Sequence, residues 1–246
     1  MNAQTRFTAD RTRFGLDLPE WAVAKLNRLP PALATLEARM AEVVRFARLN
    51  VEHETGGPFA AGVFERDSGR LVVIGVNRVV PRNCSSAHAE IMALSLAQRL
   101  LGTFDLGGPG LPAHQLVVNW LPCAMCYGAL AWSGVRSLVV AGSGPELEAI
   151  TGFDEGPIHP DWKTELRKRG IDVVEGVLQD EAIAAFRDFA ASGQPVYNGR
   201  LGETGSPKRA MDQTILPAQR ALTLTKASVA RSIDVLSRRC PWCVTS

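Results

Sequence analysis

Short apolar segments with the spacing of strands alternate with segments of helical spacing along most of this 246-residue chain. Because the apolar side chains of a strand must be covered, this alternation is typical of a central sheet packed against helices. We therefore expect an α/β domain. Predicted strands span 60–65, 71–76, 115–121, 135–141 and 172–176, and predicted helices span 33–52, 87–101, 122–133, 162–169 and 179–191.

The charge is distributed unevenly and divides the chain into a body and a tail. Residues 200–246 carry 8 Lys and Arg against 3 Asp and Glu, whereas residues 1–199 carry 19 against 22. The tail is also rich in Gly, Ser, Pro, Lys and Thr, so we expect a basic, loosely ordered end after a domain at 32–199. Residues 1–31 combine polar residues with Leu-Pro pairs and predict an irregular lead-in.

Composition argues against several classes of partner and location. The slightly acidic body does not suit a large phosphate-binding surface, so we do not expect nucleic acid as a partner. No apolar run approaches the roughly 18 residues that span a bilayer, and Met1 to Asp10 lack the apolar region of a secretory signal. Five cysteines, an odd number, do not suggest a disulfide framework. We expect a cytoplasmic protein with no membrane partner, whose thiols stay free to bind metal.

Two short motifs, His88-Ala89-Glu90 and Pro122-Cys123-Ala124-Met125-Cys126, each stand at the start of a predicted helix. Cys123 and Cys126 are three residues apart, so on a helix they share a face and can bind one ion. The partial positive charge at a helix N-terminus favours the thiolate form that metals bind. Two thiolates and a neutral His88 suit Zn²⁺ in ligand type and in charge. We therefore predict a zinc cofactor held by these three residues.

The predicted catalytic group is Glu90. Three protein ligands leave a fourth position for water, whose pKa zinc lowers toward about 7. Glu90 stands two residues beyond the ligand His88, where its carboxylate can take a proton from that water. The same group can deliver the proton to a ring nitrogen and to the leaving amine. The order of the two motifs, H-x-E followed by P-C-x-x-C, is the established pattern of zinc deaminases of nucleobases.

Each motif alone is a weak signal, since C-x-x-C also serves redox sites and structural zinc sites. A structural zinc site would need a fourth Cys or His, and the spare candidates Cys84 and His114 lack convincing spacing. A non-catalytic, zinc-stabilised interaction module is therefore the alternative to an enzyme. In the tail, Cys240 and Cys243 could form a redox pair or a second metal site, although an incidental pair is the simpler interpretation.

The stretch from about Gly56 to Arg200 resembles the guanine deaminase branch of the cytidine deaminase-like superfamily. The resemblance implies a three-layer α/β/α fold with a central mixed sheet, a zinc cofactor, a homodimer and hydrolysis of guanine to xanthine. Within this branch the chain is most similar to bacterial proteins that act on guanine and on the triazine ammeline. Deamination of cytosine, guanosine or tRNA adenosine is the alternative within the same chemistry. The matching segments are Gly57–Ala61, His88–Ile91, Pro122–Ala129 and Gly152–Gly156.

The same resemblance implies roles for four further residues. Asn77 matches an asparagine that hydrogen-bonds the base, and Phe59 matches an aromatic residue beside the ring. Ala61 lies in a segment that would line the pocket. Glu155 matches a second carboxylate that contacts the purine and relays protons, and such a group can accept from both the N1–H and the 2-amino group of guanine.

The chain departs from the family pattern at Leu121, where guanine deaminases usually carry glutamate, which leaves the precise ring preference open. In guanine deaminases the C-terminal segment can cross to the partner subunit and close its active site. Residues near Tyr197-Asn198 are the candidates for that contact. We expect Trp120 and Trp132 in the core, outside the site.

Overall fold

Five strands form one mixed sheet in the computed structural model, which describes residues 13–198. The strands are β1 (Ala60–Glu65), β2 (Leu71–Val76), β3 (His114–Val118), β4 (Ser137–Val140) and β5 (Asp172–Val174). Their order across the sheet is β2-β1-β3-β4-β5. β1 pairs antiparallel with both β2 and β3, whereas β3, β4 and β5 run parallel to one another.

Helices connect the strands and cover the sheet. They are α1 (Glu20–Leu26), α2 (Leu36–Glu52), α3 (Val79–Arg82), α4 (Ala89–Leu101), α5 (Ala124–Trp132), α6 (Glu146–Thr151), α7 (Trp162–Lys168) and α8 (Gln179–Ser192). The parallel strands β3 and β4 are joined through α5, as a parallel connection requires a crossover.

Strands β1, β3 and β4 are buried on both faces, because their side chains alternate with the period of two that a strand imposes and helices cover each face. On one face, Phe64 and Val117 belong to a core that includes side chains of α2 and α8. On the other face, Val63 and Leu116 belong to a second core with side chains of α4, α5 and α7. The described residues therefore form helix, mixed sheet and helix layers, which confirms the predicted fold.

The strand bounds agree with the sequence-based prediction in the β1–β2 hairpin and differ from it in β3. β1 and β2 have the predicted limits, but the strand predicted at 115–121 ends at Val118. Beyond it, the Asn119 side chain accepts from the Ala60 N–H at 3.0 Å and donates to the Pro58 carbonyl at 2.9 Å. The Asn119 N–H also donates to the Ala60 carbonyl at 3.4 Å, so the amide side chain adds to backbone pairing where the chain leaves the sheet.

The predicted irregular lead-in at 1–31 contains the helix α1, so that part of the prediction is wrong. α1 is a short helix, and short helices depend on tertiary packing more than on local propensity. Its Ala22 is fully buried in the core that also holds α2. The Trp21 ring packs on Phe46 of α2 with the ring centroids 5.7 Å apart. Packing against α2 therefore stabilises a segment whose sequence alone does not indicate a helix.

Residues 13–198 belong to one compact unit. The predicted tail at 200–246, with Cys240 and Cys243, lies outside the described residues, and the domain limits 32–199 stay a prediction. Within the described part of the chain, no helix has both the length and the apolar character needed to cross a membrane.

Strand β2 and helix α4 are in unusually close contact at Gly75. A Cβ atom on Gly75 would lie 2.5 Å from the Ala93 nitrogen and 2.8 Å from the Ala89 carbonyl oxygen. Backbone atoms cannot move aside as a flexible side chain can, so glycine is required at this position. The contact matters for function because α4 begins immediately after His88.

We predict that Gly75→Ala lowers the free energy of unfolding by about 1–3 kcal/mol, because the added methyl group forces β2 and α4 apart. Urea unfolding of the zinc-loaded protein measures the change. Gly15→Ala is the matched control, since nothing lies within 4 Å of its Cβ position, and it should change stability by less than about 0.5 kcal/mol. Equal stability of Gly75→Ala and wild type would contradict the close packing.

Candidate active site

Two of the predicted metal ligands occupy N-cap positions, which is how the two motifs come to lie at helix starts. His88 is the N-cap of α4, and Cys123 is the N-cap of α5. Neither side chain makes the usual capping hydrogen bond to the helix backbone. Both side chains are therefore free to turn away from their helices and meet, and the helix N-termini add partial positive charge around the thiols.

The ligand atoms of His88, Cys123 and Cys126 all lie within 4.8 Å of one another. The Cys123 Sγ is 3.4 Å from the His88 Nδ1. Tetrahedral zinc with bonds of about 2.3 Å to sulfur and about 2.0 Å to nitrogen would hold these two atoms roughly 3.5 Å apart. The spacing and the donor types fit Zn²⁺.

Electrostatics in the triad follow from two thiols and an imidazole packed together. A hydrogen bond from Cys126, with help from His88, lowers the pKa of Cys123 to about 4. The pKa of Cys126 is raised because it keeps the proton that the two thiols share and because it is buried. Burial opposes a charge on His88, but the neighbouring Cys123 and Glu90 outweigh it and raise the pKa of the imidazole. The site thus attracts positive charge, as a metal-binding site should.

The two spare ligand candidates lie outside the triad. Cys84 Sγ is 3.2 Å from Ser86 Oγ, and His114 Nδ1 is 2.7 Å from the Leu106 carbonyl. Among residues 13–198, the group that could hold a metal consists of His88, Cys123 and Cys126 alone. With three protein ligands, the fourth position is left to a non-protein ligand, which is the arrangement of catalytic zinc sites.

A cavity of about 180 Å³ opens beside His88. Four of the other predicted site residues line it: Phe59, Asn77, Glu90 and Glu155. Ala61 does not line it, because its side chain is fully buried in the core between the sheet and α4. Ala61 lies within β1 and packs against α4, whereas Phe59 precedes the strand.

Glu90 lies in the first turn of α4 and is only 6% exposed. Burial, together with the nearby Cys123 thiolate, raises the pKa of its carboxyl. A group with a raised pKa beside a metal site holds and releases protons more readily at neutral pH than an exposed glutamate does.

Asn77 presents a free donor to the cavity. Its Oδ1 accepts from the Val79 N–H at 3.2 Å and from the Gly57 N–H at 3.4 Å. Two backbone donors at one atom identify that atom as the oxygen and fix the amide orientation. The Nδ2 is buried and has no hydrogen-bond partner among the described residues. A buried donor without a partner is costly, so it suits a ligand with an acceptor.

Glu155 is held between α6 and α5 by its backbone. Its N–H donates to Glu148 Oε1 at 3.3 Å, and its carbonyl accepts from the Ala124 N–H at 2.9 Å. Burial, followed by the charges of Cys123 and Glu90, raises the pKa of the Glu155 carboxyl to about 8. The cavity therefore has two carboxyl groups near the metal triad, both with raised pKa values.

The aromatic residues around the cavity differ in part from the prediction. Trp120, which we expected in the core and outside the site, is buried in the core, with its ring packed at 5.4 Å against Phe186, and it also lines the cavity. Trp132, expected in the core, is 87% exposed on α5. Apolar character places a tryptophan near buried surface but does not tell whether that surface belongs to a core, a cavity or an outer face.

Tyr197 and Asn198, predicted to reach a partner subunit, lie at the cavity of their own chain. Asn198 donates to the Gly152 carbonyl at 2.7 Å and accepts from the Asp154 N–H at 3.0 Å. The Tyr197 ring lies 4.8 Å from Phe153 and 6.3 Å from His88 between centroids. The segment before residue 199 therefore lies at the site of its own chain, and its contact with a partner subunit stays a prediction.

We predict that Cys126→Ser lowers the zinc content by one equivalent per chain relative to wild type, because one of three protein ligands loses its thiolate. Elemental analysis of the purified proteins measures the difference directly. Cys84→Ser is the control and should keep the wild-type zinc content. Equal zinc in Cys126→Ser and wild type would contradict the ligand assignment.

Comparison with known proteins agrees with this geometry. Residues 34–142 match the family model of the cytidine and deoxycytidylate deaminase zinc-binding region. A solved guanine deaminase from Nitrosomonas europaea is 52% identical, with a TM-score of 0.69; the match covers 73% of this chain and 97% of that one. Another solved structure, in complex with 8-azaguanine, is 52% identical with a TM-score of 0.69 and coverages of 72% and 96%.

A curated relative, the guanine deaminase of Bacillus subtilis (strain 168), is 28% identical over 156 residues, which cover 63% of this chain and 95% of the relative. The metal triad, the buried carboxyl beside it and the match over nearly the whole Nitrosomonas europaea protein lead to one conclusion. This chain belongs to the guanine deaminase family of the cytidine deaminase-like zinc hydrolases.

Proposed function

We propose that this protein removes the 2-amino group of guanine by hydrolysis, giving xanthine and ammonia. The observation that carries the proposal is a cavity in which a metal triad, a buried carboxyl, a free amide donor and a second carboxyl converge. Relatives named guanine deaminases, at 52% and 28% identity, support the same substrate.

Glu90 carries the protons in this reaction. His88, Cys123 and Cys126 would hold the zinc ion, which would supply an acidified water as the nucleophile for C2 of the ring. Glu90 takes the first proton from this water and delivers it to the ring nitrogen N3. It then moves the second proton from the new hydroxyl to the departing amine, so that C2 becomes a carbonyl and ammonia leaves. Its burial favours this role because bulk water does not compete for the proton.

Asn77 and Glu155 select the ring. The free Nδ2 of Asn77 donates to an acceptor on the base, such as O6 or N7 of guanine. Glu155 accepts from the N1–H and the 2-amino group, and such hydrogen bonds favour its ionised form against the effect of burial.

Apolar and aromatic groups complete the cavity. Phe59 packs edge-on against Phe153 at 5.0 Å and offers a wall for a flat ring. Leu121 also lines the cavity, and it adds no charge where related deaminases usually carry glutamate. A cavity that recognises one amino-substituted edge of a ring accommodates the triazine ammeline as well, so we include ammeline as a second substrate.

The protein acts as a homodimer in this proposal, through the outward face of α5. Met125, Gly128, Ala129 and Trp132 have the spacing of one helix face. Met125 is 40% exposed and Trp132 is 87% exposed. An apolar helix face of this kind is typical of a protein interface, and a second copy of the chain is the partner that the family resemblance favours.

We also propose that the protein works in the reducing cytoplasm. The support is chemical, since Cys123 and Cys126 bind metal only as free thiolates. Oxidising compartments favour disulfides between such neighbouring thiols.

We predict that the zinc-loaded protein releases ammonia from guanine, and that Glu90→Gln lowers the turnover number by at least about 100-fold while zinc content stays unchanged. The measurement is ammonia release across guanine, ammeline, guanosine, cytosine, adenine and cytidine. Release from cytosine or a nucleoside alone would keep the zinc chemistry and overturn the guanine proposal. A protein that binds zinc but releases ammonia from none of these compounds would favour tRNA as the substrate or a non-catalytic module.

We predict that Trp132→Glu converts the dimer to a monomer, because a buried, unpaired charge would oppose the apolar contact. Sedimentation velocity should show the mass fall by half. Val23→Glu places the same charge on a 46% exposed apolar position of α1 and should leave the dimer intact. A wild-type protein that sediments as a monomer would overturn the homodimer.

A further inference from the structure

A chain of hydrogen bonds connects the N-terminal helix α1 to Asn77 in the cavity. Trp21 Nε1 donates to Thr55 Oγ1 at 2.9 Å, and Thr55 Oγ1 donates to Asn50 Oδ1 at 2.8 Å. Asn50 Nδ2 in turn donates to the Asn77 carbonyl at 2.9 Å and to the Gly57 carbonyl at 2.9 Å. Asn50 and Asn77 are both fully buried, so water does not replace these bonds.

The hydrogen-bond chain acts on the Asn77 backbone and on Gly57, one of the two residues that hold the Asn77 side chain. Asn50 binds the backbone of Asn77 and that of Gly57, and Gly57 is one of the two donors to Asn77 Oδ1. The loop is also pressed against Asn77, because a Cβ atom on Gly56 would lie 1.9 Å from the Asn77 carbonyl oxygen. Small shifts of Asn50 would therefore move the amide that faces the substrate.

The Thr55 hydroxyl determines which atom donates and which accepts along this chain of hydrogen bonds. It accepts from Trp21 and donates to Asn50, so it satisfies a donor and an acceptor at once. By donating to Oδ1, it identifies that atom of Asn50 as the oxygen and turns Nδ2 toward Asn77 and Gly57. Hydrogen bonds in such chains polarise and strengthen one another.

We infer that Trp21, Thr55 and Asn50 are positioning residues for substrate binding, which act through the Asn77 amide. This inference rests on the proposed function and deepens it. It assigns a role to α1, which lies outside the region 34–142 that matches the deaminase family model. Precise placement of a binding group by its supporting residues is what gives a site its affinity.

The first test compares Thr55→Val with Thr55→Ser. Valine has nearly the shape of threonine but lacks the hydroxyl, whereas serine keeps it. We expect Thr55→Val to raise KM for guanine about 5- to 10-fold, with kcat within about threefold of wild type. The reason is that an amide that binds the ring equally well in the ground state and in the transition state affects KM alone. Thr55→Ser should stay within about twofold of wild type in both constants.

Trp21→Phe tests the contribution of α1 itself. It removes the Nε1–H donor but keeps a ring against Phe46 and His53. We expect KM for guanine to rise about two- to threefold, which is less than for Thr55→Val because Thr55 would still donate to Asn50. An unchanged KM in both Trp21→Phe and Thr55→Val would overturn the inference.

A double-mutant cycle separates positioning from general stability. If Thr55 acts through Asn77, Thr55→Val has no further effect on KM in the Asn77→Ala background. Additive effects, or equal loss of kcat and zinc in Thr55→Val, would mean a merely structural role and would overturn the inference. If Asn77→Ala does not fold, Asn77→Asp serves as the background, since it keeps the acceptor oxygen and lacks the donor.

Binding of 8-azaguanine, measured by calorimetry, provides a readout independent of turnover. The same variants should weaken binding in the same order as they raise KM. The wild-type rate on guanine tests the proposed function, while the ratios between variants test the positioning chain. A wild type that binds 8-azaguanine but does not convert guanine would overturn the function alone, and equal binding by wild type and Thr55→Val would overturn the inference alone.

Discussion

The meeting of two helix N-termini at one point is the constraint on which the site depends. His88 and Cys123 are 35 residues apart in the chain, yet their side chains come within 3.4 Å. That approach requires α4 and α5 to begin at the same end of the sheet, and the close contact of β2 with α4 at Gly75 helps to set the distance. Two ligands at N-cap positions also place the metal where helix dipoles favour thiolates.

Buried amides organise the substrate side of the cavity much as the metal organises the catalytic side. Asn50, Asn77 and Asn119 are each fully buried, and all three bind backbone groups of the loop that follows α2. Asn50 and Asn119 each use both the oxygen and the nitrogen of the side-chain amide in hydrogen bonds. Asn77, in contrast, keeps its Nδ2 without a partner among the described residues. A network in which one donor is left over is costly unless a ligand completes it, so this exception marks the substrate position.

Two carboxyl groups share the cavity, and burial raises the pKa of both. The Cys123 thiolate adds to this shift in both groups, and the charge of Glu90 adds to it in Glu155. Their surroundings nevertheless differ. Glu90 stands in the first turn of a helix and is almost fully buried, while Glu155 lies in a loop held by the backbone contact to Ala124. The difference suits a division of work, with Glu90 moving protons at the reacting carbon and Glu155 recognising the edge of the ring.

Local sequence determined much of this protein, namely the hairpin limits, the alternation that gives a three-layer fold and the spacing that brings Cys123 and Cys126 onto one ion. These features depend on neighbours within a few residues. Tertiary structure alone decided that α1 is a helix, that Trp120 lines the cavity while Trp132 faces outward, that Ala61 is core and that Tyr197 lies at its own chain's site. The physical reason is that apolar character and propensity indicate only that a side chain is buried or that a segment is helical. The surface that covers the side chain comes from segments distant in the sequence.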